Sequence, residues 1–158
     1  MQTVSDVMTR GIRTMAPSET VTAAAQAMRE LDVGALPVCN GARLVGMVTD
    51  RDIVVRGVAQ ELVHAPLSEV MSEGLLYCKE DDTVAAALET MRSQQVRRLP
   101  VVDKDQQLVG VVSLGDLATK GEEDTDTMDA LRTISEPAEP YRGGLSAASG
   151  AAGGGQTD

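Results

Sequence analysis

The sequence has no Phe and no Trp, and its only aromatic residues are Tyr77 and Tyr141. A core must therefore be aliphatic, built from Val, Leu, Ile, Ala and Met. Base-stacking platforms are missing, and so is a basic patch, because 24 acidic residues outnumber 14 basic ones. This argues against a sequence-reading nucleic-acid binder. No apolar run approaches the ~20 residues of a membrane span. The first residues, Met1-Gln2-Thr3-Val4-Ser5-Asp6, lack the charged and apolar regions of a secretory signal. Two cysteines, Cys39 and Cys78, do not make a disulfide framework. These absences predict a soluble cytoplasmic protein with no membrane and no nucleic-acid partner.

What is present suffices for a globular core. The chain has 158 residues, of which 42 % are apolar. Its charge of −10 is unevenly spread. Residues 122–158 hold eight acidic and two basic residues, so the body is only mildly acidic.

The chain repeats itself. Residues 4–40 align with 67–103 and residues 44–57 with 108–121, with 20 of 51 positions identical, too many for chance in so short a stretch. Val4-Ser5-Asp6-Val7-Met8 answers Leu67-Ser68-Glu69-Val70-Met71. Leu36-Pro37-Val38 answers Leu99-Pro100-Val101. Leu44-Val45-Gly46-Met47-Val48-Thr49 answers Leu108-Val109-Gly110-Val111-Val112-Ser113. The one-residue slip falls at Gly41-Ala42-Arg43, where a hairpin turn tolerates it.

Each repeat reads β-α-β-β-α, an α+β pattern. Short strands are predicted near 12–15 and 75–78, then helices capped by Ser18 or Asp81. Val21, Ala24, Ala25, Met28 and Leu31 share one helical face, as do Val84, Ala87, Leu88 and Met91. Hairpins follow at Ala35–Cys39 with Leu44–Thr49, and at Leu99–Asp103 with Leu108–Ser113. Thr49-Asp50-Arg51-Asp52 and Ser113-Leu114-Gly115-Asp116 have capping-box spacing and open short helices ending near Gly57 and Gly121. A unit this small cannot bury enough surface alone, so the two copies are expected to pack with pseudo-twofold symmetry. The predicted division is 1–60 for the first repeat, 61–121 for the second, 122–137 for a C-terminal helix and 138–158 for a disordered Gly/Ala-rich tail.

Gly46-Met47-Val48-Thr49-Asp50-Arg51-Asp52 and Gly110-Val111-Val112-Ser113-Leu114-Gly115-Asp116 resemble the Gly-h-h-Ser/Thr-x-x-Asp signature of CBS domains, named after cystathionine beta-synthase. Leu36-Pro37-Val38 and Leu99-Pro100-Val101 resemble the family's Leu-Pro-Val strand, and Ser5-Asp6-Val7-Met8 and Ser68-Glu69-Val70-Met71 its opening element. The chain is similar to stand-alone bacterial two-CBS proteins, including the hypoxic-response type of actinobacteria. The resemblance implies tandem CBS domains, a homodimer, and clefts for an adenosine-containing ligand: AMP, ADP, ATP or S-adenosylmethionine.

Carried residue by residue, it assigns Asp52 and Asp116 to a ribose diol, and Thr49 and Ser113 to phosphate at a helix start. Thr14, Met15, Tyr77 and Cys78, with Val33 and Val96, are expected as adenine walls. Arg97 and Arg98 are phosphate candidates in the second repeat, where the first has Gly34-Ala35 and offers Arg51 instead. The two sites are therefore expected to be unequal, with at most one binding tightly.

Simpler readings stand beside these. The Thr49/Asp52 and Ser113/Asp116 pairs can be plain helix caps, worth about 1 kcal/mol each. Arg97 and Arg98 can be a solvated pair. Cys39 and Cys78 read as buried thiols and His64 as an exposed linker residue, and no metal-ligand spacing is present. No catalytic set or phosphate loop points to an enzyme. The sequence predicts a regulatory module that binds an adenosine compound in the cleft between its repeats, without a resident cofactor, and signals to a protein partner. A ligand-free structural or stress-response protein acting through its dimer surface is the alternative, and a metal- or redox-responsive protein using Cys39 and Cys78 is a third reading.

Overall fold

The computed structural model describes residues 2–72 and 74–120. The predicted C-terminal helix at 122–137 and the tail at 138–158 lie outside the described residues.

Repeat one contains helix α2 (Val21–Leu31), the antiparallel hairpin β1 (Ala35–Asn40) and β2 (Arg43–Thr49), and the turn of helix α3 (Asp50–Asp52), which runs into a π-helical segment, Ile53–Val58. Repeat two contains β3 (Cys78–Lys79), helix α4 (Val84–Gln94), the hairpin β4 (Arg98–Val102) and β5 (Leu108–Ser113), and helix α5 (Leu114–Lys120). A short helix α1 (Val4–Val7) and a 3₁₀ turn at Leu67–Glu69 open the two repeats.

The strand expected near 12–15 shrinks to a single parallel bridge between Met15 and Val38. In repeat two it moves from 75–78 to Cys78–Lys79. Neither Ser18 nor Asp81 caps its helix. Thr20 and Thr83, immediately before the first helical residue, accept from the amides of Ala23 and Ala86 at 3.1 Å. The preceding residues are committed to a turn, closed by Glu19 on the Ala16 amide and Asp82 on the Lys79 amide. The helix expected to end near Gly57 ends at Val58, in π-helical form. Gly57 is buried within it, where a Cβ would sit 2.9 Å from Cγ1 of Val21 on α2.

The two hairpin tips fix the symmetry. Arg43 pairs with Gln107, its own counterpart in the repeat. The Leu44 amide donates to the Gln106 carbonyl at 3.1 Å, and the Leu108 amide to the Ala42 carbonyl at 2.9 Å. Equivalent residues thus bond reciprocally, which places a pseudo-twofold axis between the tips. Cys39, Leu44 and Val102 form a small apolar cluster there, with Leu75, Tyr77 and Leu108 packed against it.

The opening elements are exchanged. Val4, Val7 and Met8 belong to the core of repeat two, with Leu88, Met91, Leu99 and Val112. Leu67 and Val70 belong to the core of repeat one, with Val21, Met28, Leu36 and Val48. Backbone bonds enforce this: Val4 and Ser5 donate to Asp82 and Glu80, while Leu67 and Ser68 donate to Glu19 and Pro17. The sequence boundary at 60/61 separates the repeats but cuts across both cores.

The glycine of each Gly-h-h motif makes room for the exchange. A Cβ on Gly110 would lie 2.8 Å from Met8 Sδ and 2.8 Å from the Thr9 carbonyl oxygen. A Cβ on Gly46 would lie 3.1 Å from Met71 Sδ. The recurring methionines are packing residues seated against the opposite repeat.

Candidate functional site: a cleft shared by the two repeats

Both motifs close into reciprocal capping boxes. Thr49 Oγ1 accepts from the Asp52 amide at 3.1 Å, and Asp52 Oδ2 accepts from the Thr49 amide at 3.0 Å. Ser113 Oγ accepts from the Asp116 amide and Asp116 Oδ2 from the Ser113 amide, both at 3.0 Å. Each box sits directly beside the residue before the Leu-Pro-Val strand. The Asp50 amide donates to the Gly34 carbonyl at 2.9 Å, and the Leu114 amide to the Arg97 carbonyl at 2.7 Å.

Here the repeats part company. In repeat one the Asp50 carboxylate lies over Gly34, 3.0 Å from where a Cβ would be. In repeat two the same positions hold Leu114 and the exposed Arg97, followed by the exposed Arg98. Repeat one thus carries a carboxylate beside a glycine where repeat two carries a leucine beside an arginine.

A cavity of about 270 Å³ lies between the repeats. Repeat one supplies Leu31, Val33, Ala35, Leu36, Pro37 and Met47, and its opening segment supplies Gly11, Ile12 and Arg13. Repeat two supplies Arg98 and Val111. The cavity is mostly apolar, with Arg98 and Arg13 among its lining residues and Arg13 paired with Glu30 at 3.4 Å, a combination that suits a flat heteroaromatic ring carrying an anionic group. Arg98 is the cross-strand partner of Ser113, and Val111 lies two residues before Ser113 on the same face of β5. The Ser113/Asp116 box therefore stands next to this cavity.

Of the sequence-predicted residues, Val33 and Arg98 line the cavity, and Ser113 and Asp116 adjoin it. Arg97 and the half-buried Val96 stand at the same helix opening. Thr49, Arg51 and Asp52 form the corresponding opening in repeat one, with Arg51 exposed and Asp52 buried. Thr14 lines a neighbouring cavity of about 230 Å³, which shares Gly11 and Ile12 with the first. Three other expected walls line neither of these two cavities. Met15 is a core residue, and its amide and carbonyl are consumed by Pro37 and Cys39. Cys78 is buried in the core of repeat two. Tyr77 packs against the cluster at the hairpin tips.

Burial, with the Asp82 carboxylate adding to it, pushes the Cys78 thiol up to about 12. Burial also raises the Cys39 thiol. Raised in this way, both thiols favour the protonated form, which is the poorer nucleophile.

Two residues escaped the sequence reading. Thr9 Oγ1 donates to Asp116, 3.3 Å from both carboxylate oxygens. Ser72 Oγ donates to Asp52 at 3.3 and 3.4 Å. The signal was available, since the repeat offset places a hydroxyl directly after Met8 and again after Met71.

The chain matches the CBS domain family over residues 4–57 and 67–123. It is 41% identical over 136 residues to the CBS domain-containing protein YhcV of Bacillus subtilis, covering 85% of this chain and 96% of that protein. The crystal structure of Hypoxic Response Protein I with two coordinated zinc ions superposes with a TM-score of 0.70 at 41% identity, covering 76% of this chain and 99% of that one. The crystal structure of CBSX2 in complex with AMP superposes with a TM-score of 0.68 at 26% identity, covering 76% and 96%. With both repeats matched, their hairpins paired about a pseudo-twofold axis and their signature boxes intact, this chain belongs to the CBS-domain family as a tandem CBS pair.

Proposed function

We propose that the chain is a non-catalytic regulatory module, cytoplasmic in location, that binds an adenosine-containing ligand (AMP, ADP, ATP or S-adenosylmethionine) in the cleft bearing Arg98, Ser113 and Asp116, and signals the occupied state to a protein partner. The observation that carries this reading is the placement of Arg98 at an apolar cavity, in register with Ser113. The AMP complex of CBSX2 supports the ligand class. Asp116 accepts the ribose diol, the Ser113 hydroxyl and Arg98 meet phosphate, and Val33, Pro37 and Val111 flank adenine. Signalling follows if the ligand favours one packing of the exchanged repeats over another. The Thr49/Asp52 cleft of repeat one is the weaker site, because the Asp50 carboxylate covers Gly34 there and repels phosphate.

Thermal melting tests this. At a hundredfold excess over its dissociation constant, AMP adds about 2.7 kcal/mol to stability by mass action. Asp116→Ala and Arg98→Ala remove the AMP-induced rise, and Asp52→Ala leaves it. No rise with any adenosine compound, in protein that melts normally without it, contradicts the proposal.

A second reading has its own observation. Val54, Val55 and Val58 of the π-helical segment are 59%, 47% and 55% exposed, whereas repeat two presents Ala118 and Thr119 opposite the first two. An apolar stripe confined to one repeat suits a self-complementary homodimer contact. A ligand-free structural or stress-response protein would act through this surface alone. Val55→Asp combined with Val58→Asp is expected to halve the native mass. A wild-type monomer, or an unchanged mass in the double variant, contradicts the dimer.

The two zinc ions are a feature of the Hypoxic Response Protein I structure. Among the described residues no group of three or more His, Cys, Asp or Glu side chains is placed to share a metal ion.

A further inference from the structure

We propose that Thr9 is a positioning residue for the Asp116 carboxylate, so that ribose recognition in repeat two is set by the opening segment of repeat one. The inference rests on Asp116 as the ribose acceptor.

Helix capping does not need Thr9. The Ser113/Asp116 box is closed by its own two bonds at 3.0 Å. Thr9 Oγ1 is an additional donor from 107 residues away, equidistant from Oδ1 and Oδ2 at 3.3 Å. The same arrangement recurs between Ser72 and Asp52 with a different hydroxyl residue. The contact thus belongs to both repeats, with the hydroxyl kept while its side chain differs.

The hydroxyl is also held rigidly. Thr9 exchanges two backbone bonds with Val111, at 2.9 and 3.0 Å, and Val111 lines the cavity. Ser72 makes one backbone bond, to Met47, at 3.3 Å. From Thr9 the chain runs on through Gly11, Ile12 and Arg13, which line the same cavity. The carboxylate is thus locked to the wall against which the ligand sits.

The chemistry follows from the remaining contacts of Asp116. The Ser113 amide holds Oδ2, and Lys120 Nζ lies 3.3 Å from Oδ1. The Lys120 side chain is half exposed and long, so it orients the group weakly. The terminal torsion of an aspartate is soft. A hydroxyl shared by both oxygens fixes the carboxylate plane, and a fixed plane is what two adjacent ribose hydroxyls need for paired hydrogen bonds. A carboxylate offers about four acceptor positions, of which the Ser113 amide, the Thr9 hydroxyl and Lys120 take three, so the second ribose hydroxyl enters as the half-exposed Lys120 side chain swings away.

The test compares AMP with 2′-deoxy-AMP by calorimetry on the full chain. Thr9→Val keeps the side-chain shape and removes the donor. AMP binding should weaken by about tenfold, the scale of losing one hydrogen bond to a charged group. Binding of 2′-deoxy-AMP, which cannot form the paired contact, should weaken far less, so the preference for AMP collapses. Thr9→Ser restores it. Thr9→Ala serves as the second donor-free variant should the valine disturb folding. Equal weakening of both nucleotides, or an unchanged preference, overturns the role of Thr9. Failure of wild-type protein to bind AMP overturns the assignment of Asp116 itself, and this inference with it.

Discussion

Gly110→Ala lowers stability by about 3 kcal/mol, at the upper end of what overpacking costs. The new methyl group would meet Met8 Sδ and the Thr9 carbonyl oxygen, each at 2.8 Å. The thioether can swing aside. The carbonyl cannot, because it accepts from the Val111 amide while the Thr9 amide donates to Val111. Relief therefore requires that the opening segment lift from β5. That lift pulls Val4, Val7 and Met8 from the core of repeat two. Gly46→Ala is the internal control. Its methyl group meets only the Met71 side chain, at 3.1 Å and beyond, so the cost is about 1 kcal/mol. Chemical denaturation of the two variants checks the difference. Equal costs would mean that the opening segment is not anchored as described.

Leu67→Ala costs about 3 kcal/mol, as expected for emptying a fully buried leucine site. Where the loss appears is the sharper test. Residue 67 opens repeat two in the sequence, but its side chain lies among Val21, Met28, Leu36 and Val48 of repeat one. Hydrogen exchange should accelerate first in α2 and the β1–β2 hairpin, with α4 following only on global unfolding. The reverse order would contradict the exchanged arrangement. The same packing predicts that residues 1–60 alone lack a complete core, since Leu67 and Val70 are missing and Val4 and Val7 have nothing to cover.

Local pattern carried much of this fold. The hairpins were legible because Leu-Pro-Val and Leu-Val-Gly runs flank short polar turns, and the boxes because Thr49/Asp52 and Ser113/Asp116 stand at capping distance. The exchange of the opening elements was not legible, because periodicity shows which residues are buried and not which half buries them. The strand near 12–15 was overread, because its pairing survives only at Met15, where Pro37 and Cys39 supply partners. Met15 and Cys78 were misassigned as cleft walls for a related reason: one position along an extended chain turns a side chain from cleft to core. At the site, the sequence names Arg98, Ser113 and Asp116 and expects the cleft between the repeats, without showing how unequally the two halves line it. The structure gives Arg98 a cavity whose other walls come mainly from repeat one. Thr9 and Ser72 carried a readable signal, a repeated hydroxyl after a repeated methionine, whose meaning needed the fold.

The asymmetry of the clefts is the central claim, and calorimetric titration with AMP tests it most directly. One tight site per chain is expected, lost in Asp116→Ala and in Arg98→Ala and retained in Asp52→Ala. Two equal sites, or a single site lost in Asp52→Ala and retained in Asp116→Ala, would contradict it.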